Sequence, residues 1–372
     1  MGSSARLNSI QLLRAIAVIM VVYSHVFTVQ PAHTKAGNAV EHQFFSLASF
    51  GAAGVDIFFV ISGFIITYIA AGYAYNNQAG RFLTKRLLRV VPLYWLVTLL
   101  HLLLSYWHGI RNADSARLLR SFLIFPFFDD GAYNSPLLIQ GWTLPFELLF
   151  YTVVALAIQL NRFRYQLLTF LFFLTCIVIN YCFTRSFMLP FSFLGNAMML
   201  EFLMGAITAM VFLAAVDVKP RYTTLLLLAG TGALLLTVFT GYPAFTRGVV
   251  LAEGIRPLQR VFIWGLPAAL IVAGLVLKEK QRVMRVPAFL LAIGDASFSI
   301  YLVHLLVLVS MYSRWRKWGV LNRVPPDLLL LISLVLTVLA GCLFYRLVEK
   351  PLLHRLNRRV SRPEAPAVPG QI

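Results

Sequence analysis

Ten stretches of this chain stay apolar for roughly 20 residues at a time, and nothing constrains its fold more. They cover about 10–29, 50–72, 90–108, 142–160, 165–183, 194–216, 223–240, 258–277, 289–312 and 327–348. A helix needs about 20 residues to cross a hydrocarbon core. Within lipid every backbone N–H and C=O must find an internal partner, which leaves helices and closed barrels as spanning structures. Barrel strands read as alternating segments of about ten residues, and these runs are longer and unbroken. The expected fold is therefore all-α: a polytopic membrane protein, a bundle of about ten transmembrane helices. The further run LLRSFLIFPFF, residues 118–128, is too short to cross and is expected to be re-entrant or interfacial.

Charge sets the orientation. Only 12% of residues are charged, about half the share of a soluble domain, yet the net charge is +18. Basic residues at cytoplasmic helix ends, facing anionic lipid, account for that excess, so it does not point to nucleic acid. An even number of spans puts both termini on one side. With that side cytoplasmic, the inner segments hold Arg6, then Arg81, Lys85, Arg86 and Arg89, then Arg162 and Arg164. Lys219, Arg221, Lys278, Lys280, Arg282, Arg285 and the tail from Arg346 to Arg362 follow. The segment 109–141 offsets three arginines with Asp114, Asp129 and Asp130, whereas RWRK at 314–317 runs against the rule. Residues 1–352 are read as one membrane domain and 353–372 as a basic, proline-bearing cytoplasmic tail. The start MGSSAR reads as neither a cleaved signal nor a myristoylation site. Cys176, Cys182 and Cys342 sit in apolar spans and form neither a disulfide framework nor a metal pattern, so no metal is expected.

The first span, LLRAIAVIMVVYSH, carries Arg14 and His25, eleven residues apart. At about 100° per residue they fall within about 20° of one face, separated by about 16 Å along the axis. Arg14 is expected near the inner boundary, where a snorkelling anchor is the bland alternative, and His25 deep toward the outer half. Ionisable residues at such depth are costly and mark functional sites by default. In WTLPFELLFY, Thr143, Glu147 and Tyr151 form an i, i+4, i+8 stripe, with Glu147 about five residues below the outer edge and so near the depth of His25. His25 is its expected partner. GVDIFFVISGF carries Asp56, Ser62 and Gly63, the glycine admitting either a neighbouring helix or a ligand chain. In KRLLRVVPLYW, Arg86 and Arg89 share a face ahead of Pro92, as positive-inside anchors or as an anion clamp. In GDASFSIYLVH, Ser297, Tyr301 and His304 form another polar stripe, and Glu349 in RLVEKP reads as structural.

Arginines at the inner side and an acid–base pair deeper in suit a phosphate-headed donor with a long thin arm, the shape of acyl-coenzyme A. With these motifs together, in this order and over residues 7 to 352, the chain resembles the membrane acyltransferase family called acyltransferase 3. The opening IQLLRAIAV is similar to its exopolysaccharide-modifying branch. The resemblance implies transfer of an acyl group, most often acetyl, from cytoplasmic acyl-coenzyme A as co-substrate. The acceptor is a hydroxyl of a cell-surface glycan or its lipid-linked precursor. No cofactor is held permanently, and the setting is a bacterial inner membrane beside polysaccharide-assembly proteins. Some relatives add an esterase-like domain, and none is seen here.

Carried over, Arg14 and His25 match the signature pair. Arg86, Arg89, Phe58, Phe59, Ser62 and Gly63 match donor-site positions, and Glu147 matches the acidic position of the fourth span. Asp56, Trp142, Tyr151, Tyr301 and His304 are candidates for acceptor or oxyanion contact. His25 is the expected general base, with Glu147 steadying the imidazolium. Tyr301, Ser62 and backbone N–H groups stay open as oxyanion donors, and a covalent acyl-His25 stays open as an intermediate. The rival class is a multi-helix transporter or a flippase component of polysaccharide export.

Overall fold

In the computed structural model, the described residues are 7–31, 50–107, 115–124, 128–129, 132–133, 136–183, 191–214, 216, 218–239 and 256–360. Arg6, Asp114, Asp130 and the tail beyond Val360 lie outside them, as does part of the 118–128 run. Helix α1 is Asn8–Val29, α2 Ala53–Tyr75 and α3 Ala79–Trp107. The short α4, Ser115–Leu123, is followed by a two-residue antiparallel ladder, β1 Phe128–Asp129 with β2 Ala132–Tyr133. A 3-10 turn, Ile139–Thr143, leads into α5, Leu144–Leu160. Next come α6 (Tyr165–Val178, prolonged by a π turn to Phe183), α7 (Phe191–Leu194), α8 (Met199–Leu213) and α9 (Pro220–Phe239). Helix α10, Arg256–Arg260, passes through a π turn into α11, Leu266–Gln281. Helix α12 is Ala288–Lys317, and α13, Pro326–Phe344, continues through a π turn into α14, Lys350–Val360.

The chain is thus an all-α multi-pass membrane protein. Among the described residues nine helical stretches are long and apolar enough to cross a membrane. The tenth expected span, 194–216, is the 15-residue α8. Its start is delayed because Gly195 and Asn196 fold inward: Asn180 Nδ2 donates to the Gly195 carbonyl (3.1 Å), and Asn196 Oδ1 accepts from Met198 N–H (3.0 Å). Helix α3 begins eleven residues before the expected 90, because its basic first turns are helical too and carry Arg86 and Arg89 on the same rod. Helix α4 stays short, tied to α3 by Trp95 Nε1 donating to the Phe122 carbonyl (2.7 Å).

Parallel and antiparallel neighbours set the site. Gly294 of α12 rests on Gln11 of α1, and Arg14 Nε donates to Ser297 Oγ (3.0 Å). Farther along both helices His25 meets His304, with ring centroids 4.8 Å apart. Helices α1 and α12 therefore run in the same direction. Helix α2 runs against α1, with Gly51 over Met20 and Gly54 over Ala17. On its other side it crosses α8 at backbone contact distance: a Cβ at Gly63 would lie 2.7 Å from Phe202 Cα, and one at Gly205 2.7 Å from Phe64 N. The Gly63 alternatives thus resolve to a helix crossing. Gly63→Ala should destabilise the fold by about 1–3 kcal/mol through overpacking against backbone that cannot yield. Thermal unfolding in detergent reads this, and an unchanged Tm would contradict the crossing.

Candidate functional site

Five helices line one cavity. Helix α2 lines it from Val55 to Ile66, a rise of about 16 Å along its axis. Helix α3 contributes Arg86 and Arg89, α5 with its preceding turn Thr143, Glu147 and Tyr151, α12 Ser297 and Tyr301, and α1 Arg14. Nine of the sequence candidates, Arg14, Phe58, Phe59, Ser62, Arg86, Arg89, Glu147, Tyr151 and Tyr301, share this lining. Residues from five separate motifs meet in one place.

The cavity has two unlike ends. Arg86 and Arg89 mark the first: Arg86 sits within electrostatic range of Tyr73, and Lys85 lies over the Tyr73 ring, so this end faces the later turns of α2. Arg86 Nε is buried and has no hydrogen-bond partner among the described residues. An unmatched guanidinium N–H beside two further arginines makes this stretch complementary to an anion. In the middle, Ser62 Oγ donates to Glu147 Oε1 (3.5 Å), and the Tyr151 hydroxyl donates to the same oxygen. Glu147, Glu349 and Asp295 lie within electrostatic range of Arg14. Glu349 itself accepts from Ser299 Oγ (2.5 Å), a buried tie between α12 and the π turn after α13. Arg14 is buried and bonded to Ser297, so it is not a snorkelling anchor.

The second end is aromatic. The Tyr301 ring stands 6.2 Å from Phe58, edge to face. The Tyr301 hydroxyl donates to the Gln140 carbonyl (2.7 Å), and since a carbonyl only accepts, Thr143 Oγ1 donates to Tyr301 (3.0 Å). Gln140 Nε2 in turn donates to the Leu302 carbonyl (2.5 Å), locking the 3-10 turn onto α12. Sequence reasoning missed Gln140. A polar residue just ahead of an apolar span was its only signal. These bonds also engage the proposed oxyanion hydroxyls: the protons of Tyr301 and Ser62 are both directed elsewhere.

Beyond Tyr301 stand the two histidines. The His304 Nδ1 proton goes to the Tyr301 carbonyl (2.7 Å), and that of His25 Nδ1 to the Val21 carbonyl (2.9 Å). Their rings meet edge to face. The expected His25–Glu147 pair is therefore not formed. The depth estimate assumed that the fourth span starts at the membrane edge. Instead α5 follows a 3-10 turn whose Gln140, Gly141 and Thr143 are buried, so its first turn is sunk into the bundle and brings Glu147 level with Ser62 and Arg14.

Asp56 and Trp142 stand apart from the lining. The Trp142 ring lies 6.1 Å from Phe59, behind the wall. Asp56 is bound by Arg260, Nε to Oδ1 at 2.9 Å and Nη2 to Oδ2 at 2.7 Å, both side chains buried. Arg260 also donates to the Ala52 carbonyl (3.1 Å) and lies over Trp264. Asp56 is thus engaged in joining α2 to α10 and does not line the cavity, contrary to the acceptor contact expected of it.

The chain is similar to the exopolysaccharide production protein ExoZ of Rhizobium meliloti (strain 1021), 29% identical over 83% of this chain and 92% of the relative. It is also similar to the acyltransferase MdmB of Streptomyces mycarofaciens, 25% identical over 97% and 95%. Nodulation protein 10 of Rhizobium leguminosarum bv. viciae is 28% identical over 43% of this chain and 46% of that one. No solved structure matches the chain significantly. The family described as acyltransferase domain (acyltransferase 3) matches residues 7–346, and the chain belongs to it.

Proposed function

We propose that this acyltransferase moves an acyl group, acetyl first among candidates, from acyl-coenzyme A to a hydroxyl of an exopolysaccharide or related cell-surface glycan, or of its lipid-linked precursor. The observation that carries the reading is the cavity that gathers Arg14, Arg86, Arg89 and Glu147 and reaches Tyr301, beyond which His304 packs against Tyr301 and His25 against His304. Phosphates of the donor bind Arg86 and Arg89, and its arm runs past Arg14 and Glu147 along the apolar side chains of α2. Glu147, held by Tyr151 and Ser62, balances the guanidinium of Arg14 and keeps it in place. It is a positioning residue, not the partner of His25.

At the far end His25 Nε2 takes the proton of the acceptor hydroxyl. The oxygen attacks the thioester carbonyl, the C–S bond breaks, and coenzyme A leaves with the proton that His25 returns. General-base help of this kind contributes about 10²–10⁴-fold, and holding both reactants adds to it. Similarity to a protein named for exopolysaccharide production supports the acceptor class. The setting proposed is a bacterial inner membrane with both termini cytoplasmic, anionic lipid at the basic helix ends and polysaccharide-assembly proteins as neighbours.

The test is coenzyme A release from acetyl-coenzyme A by the purified protein in liposomes, with and without glycan extract. Glycan-dependent release is the expected result. No release from acetyl, succinyl or longer donors, beside clear solute flux, would favour a transporter. In the same assay Arg86→Ala should raise the donor KM by about tenfold, the loss of one charge-assisted contact, and lower kcat less. An unchanged KM with a reduced kcat contradicts the clamp.

A further inference from the structure

We propose that His304 is a second ligand of the acceptor and that the acceptor is a diol: one hydroxyl reacts at His25 while its neighbour donates a hydrogen bond to His304 Nε2. This rests on the acyl-transfer reading and narrows its substrate class.

His304 is fully enclosed in the bundle. Its Nδ1 lies 2.7 Å from the Tyr301 carbonyl, one turn back on α12. A carbonyl has no proton to give, so Nδ1 carries the proton and Nε2 presents a lone pair. That lone pair has no hydrogen-bond partner among the described residues. His25 is built alike, its Nδ1 proton engaged by the Val21 carbonyl at 2.9 Å, which leaves Nε2 as an acceptor. The rings are in contact, with centroids 4.8 Å apart at an interplanar angle of 64°.

Two neighbouring imidazoles that both accept cannot bond to each other unless one gives up its carbonyl. A buried acceptor without a donor is unfavourable, so the pair is complementary to a ligand bearing two O–H donors side by side. Adjacent hydroxyls on a sugar ring are such a ligand. A lone alcohol engages one imidazole and leaves the other bare. The carbonyl that fixes His304 belongs to Tyr301, a residue of the cavity lining whose ring stands 6.0 Å from that of His304. The two histidines lie just beyond that lining, which puts the diol next to the end of the donor arm. During transfer only the hydroxyl at His25 loses its proton. The hydroxyl at His304 keeps its own throughout, and its oxygen forms no bond to the acyl carbon.

The experiment uses the full chain in liposomes with acetyl-coenzyme A and three surrogate acceptors at equal concentration: cis-1,2-cyclohexanediol, trans-1,2-cyclohexanediol and cyclohexanol. Ester formation is followed by mass spectrometry. Wild-type protein should acetylate at least one diol at least tenfold faster than the simple alcohol. In His304→Phe, which keeps an aromatic ring without the lone pair, the ratio should fall towards one. His304→Gln, which keeps an acceptor oxygen, should retain part of the preference. Equal use of diols and alcohol by wild-type protein would make His304 a packing or hydrated residue and overturn the proposal. An undiminished preference in His304→Phe would do the same. Coenzyme A release with glycan extract, but no ester on any surrogate, overturns the diol reading and leaves acyl transfer standing. Release absent from every mixture brings down both.

Discussion

His25→Ala should abolish glycan-dependent coenzyme A release while the protein still inserts and folds. The ring is half-buried, and among the described residues its contacts are one hydrogen bond to its own helix and the edge of His304. Truncation therefore breaks no ion pair and no bond between helices, and the stability cost falls within the ordinary range of about 0.5–3 kcal/mol. The catalytic cost is of another order. Without a base the acceptor hydroxyl must attack with its proton in place, a loss of about 10²–10⁴-fold. Release and thermal unfolding are measured on the same preparation. Wild-type turnover in the mutant sinks the assignment of the base, and a collapsed Tm would make the lost activity uninformative about chemistry. His25→Gln then separates the two roles, since an amide can keep a hydrogen bond to Val21 but cannot accept a proton at neutral pH. Mass spectrometry of wild-type protein quenched with donor alone decides between direct transfer and an acyl-His25 intermediate.

Much of this site could be read from local spacing. Arg14 and His25 share a face because eleven residues are close to three helical turns, and Arg86 and Arg89 do so at i, i+3. Such relations depend on one helix at a time, and the helices formed. What could not be read was how one helix sits against another. The partner of Glu147 depended on where α5 starts, and that start is set by Gln140 gripping α12 through residues 162 positions away. The short α8 depended on Asn180 and Asn196 turning the chain inward ahead of it. Asp56 and Arg260 lie 204 residues apart, with no periodicity linking them. One signal was available: Asp56, Glu201 and Arg260 all fall inside expected spans, and charges in lipid seek one another. Asp56 is expected above as a possible acceptor or oxyanion contact, whereas pairing of intramembrane charges would have drawn it to Arg260.

That buried cluster carries the largest expected effect on stability. Arg260 joins α2 to α10 through a two-pronged bond to Asp56, while Trp264 beneath it donates to Thr237 of α9 (3.2 Å). Glu201 of α8 is fully enclosed beside them, and Gly265 makes room for it, since a Cβ there would lie 2.6 Å from Glu201 Oε1. Of the two acids Asp56 alone is bonded to the guanidinium, and the Glu201 carboxyl lies within electrostatic range of both Asp56 and Arg260. Arg260→Ala leaves both without their cation in an apolar interior and should cost about 3–5 kcal/mol, the usual result of removing one partner of a buried pair. Asp56→Asn should be milder, because Glu201 remains within electrostatic range of Arg260 and can move onto it. The asymmetry is the discriminating feature: a simple two-member bridge would make the two losses alike. Adding Asp56→Leu and Glu201→Leu to Arg260→Met removes every charge and should restore much of the stability, since apolar replacements of buried ionic groups are often neutral or favourable. Thermal unfolding of the purified variants in detergent measures all three. Arg260→Ala unfolding at the wild-type temperature, or no more harmful than Asp56→Asn, would show that the cluster does not hold α2, α8 and α10 together in this way.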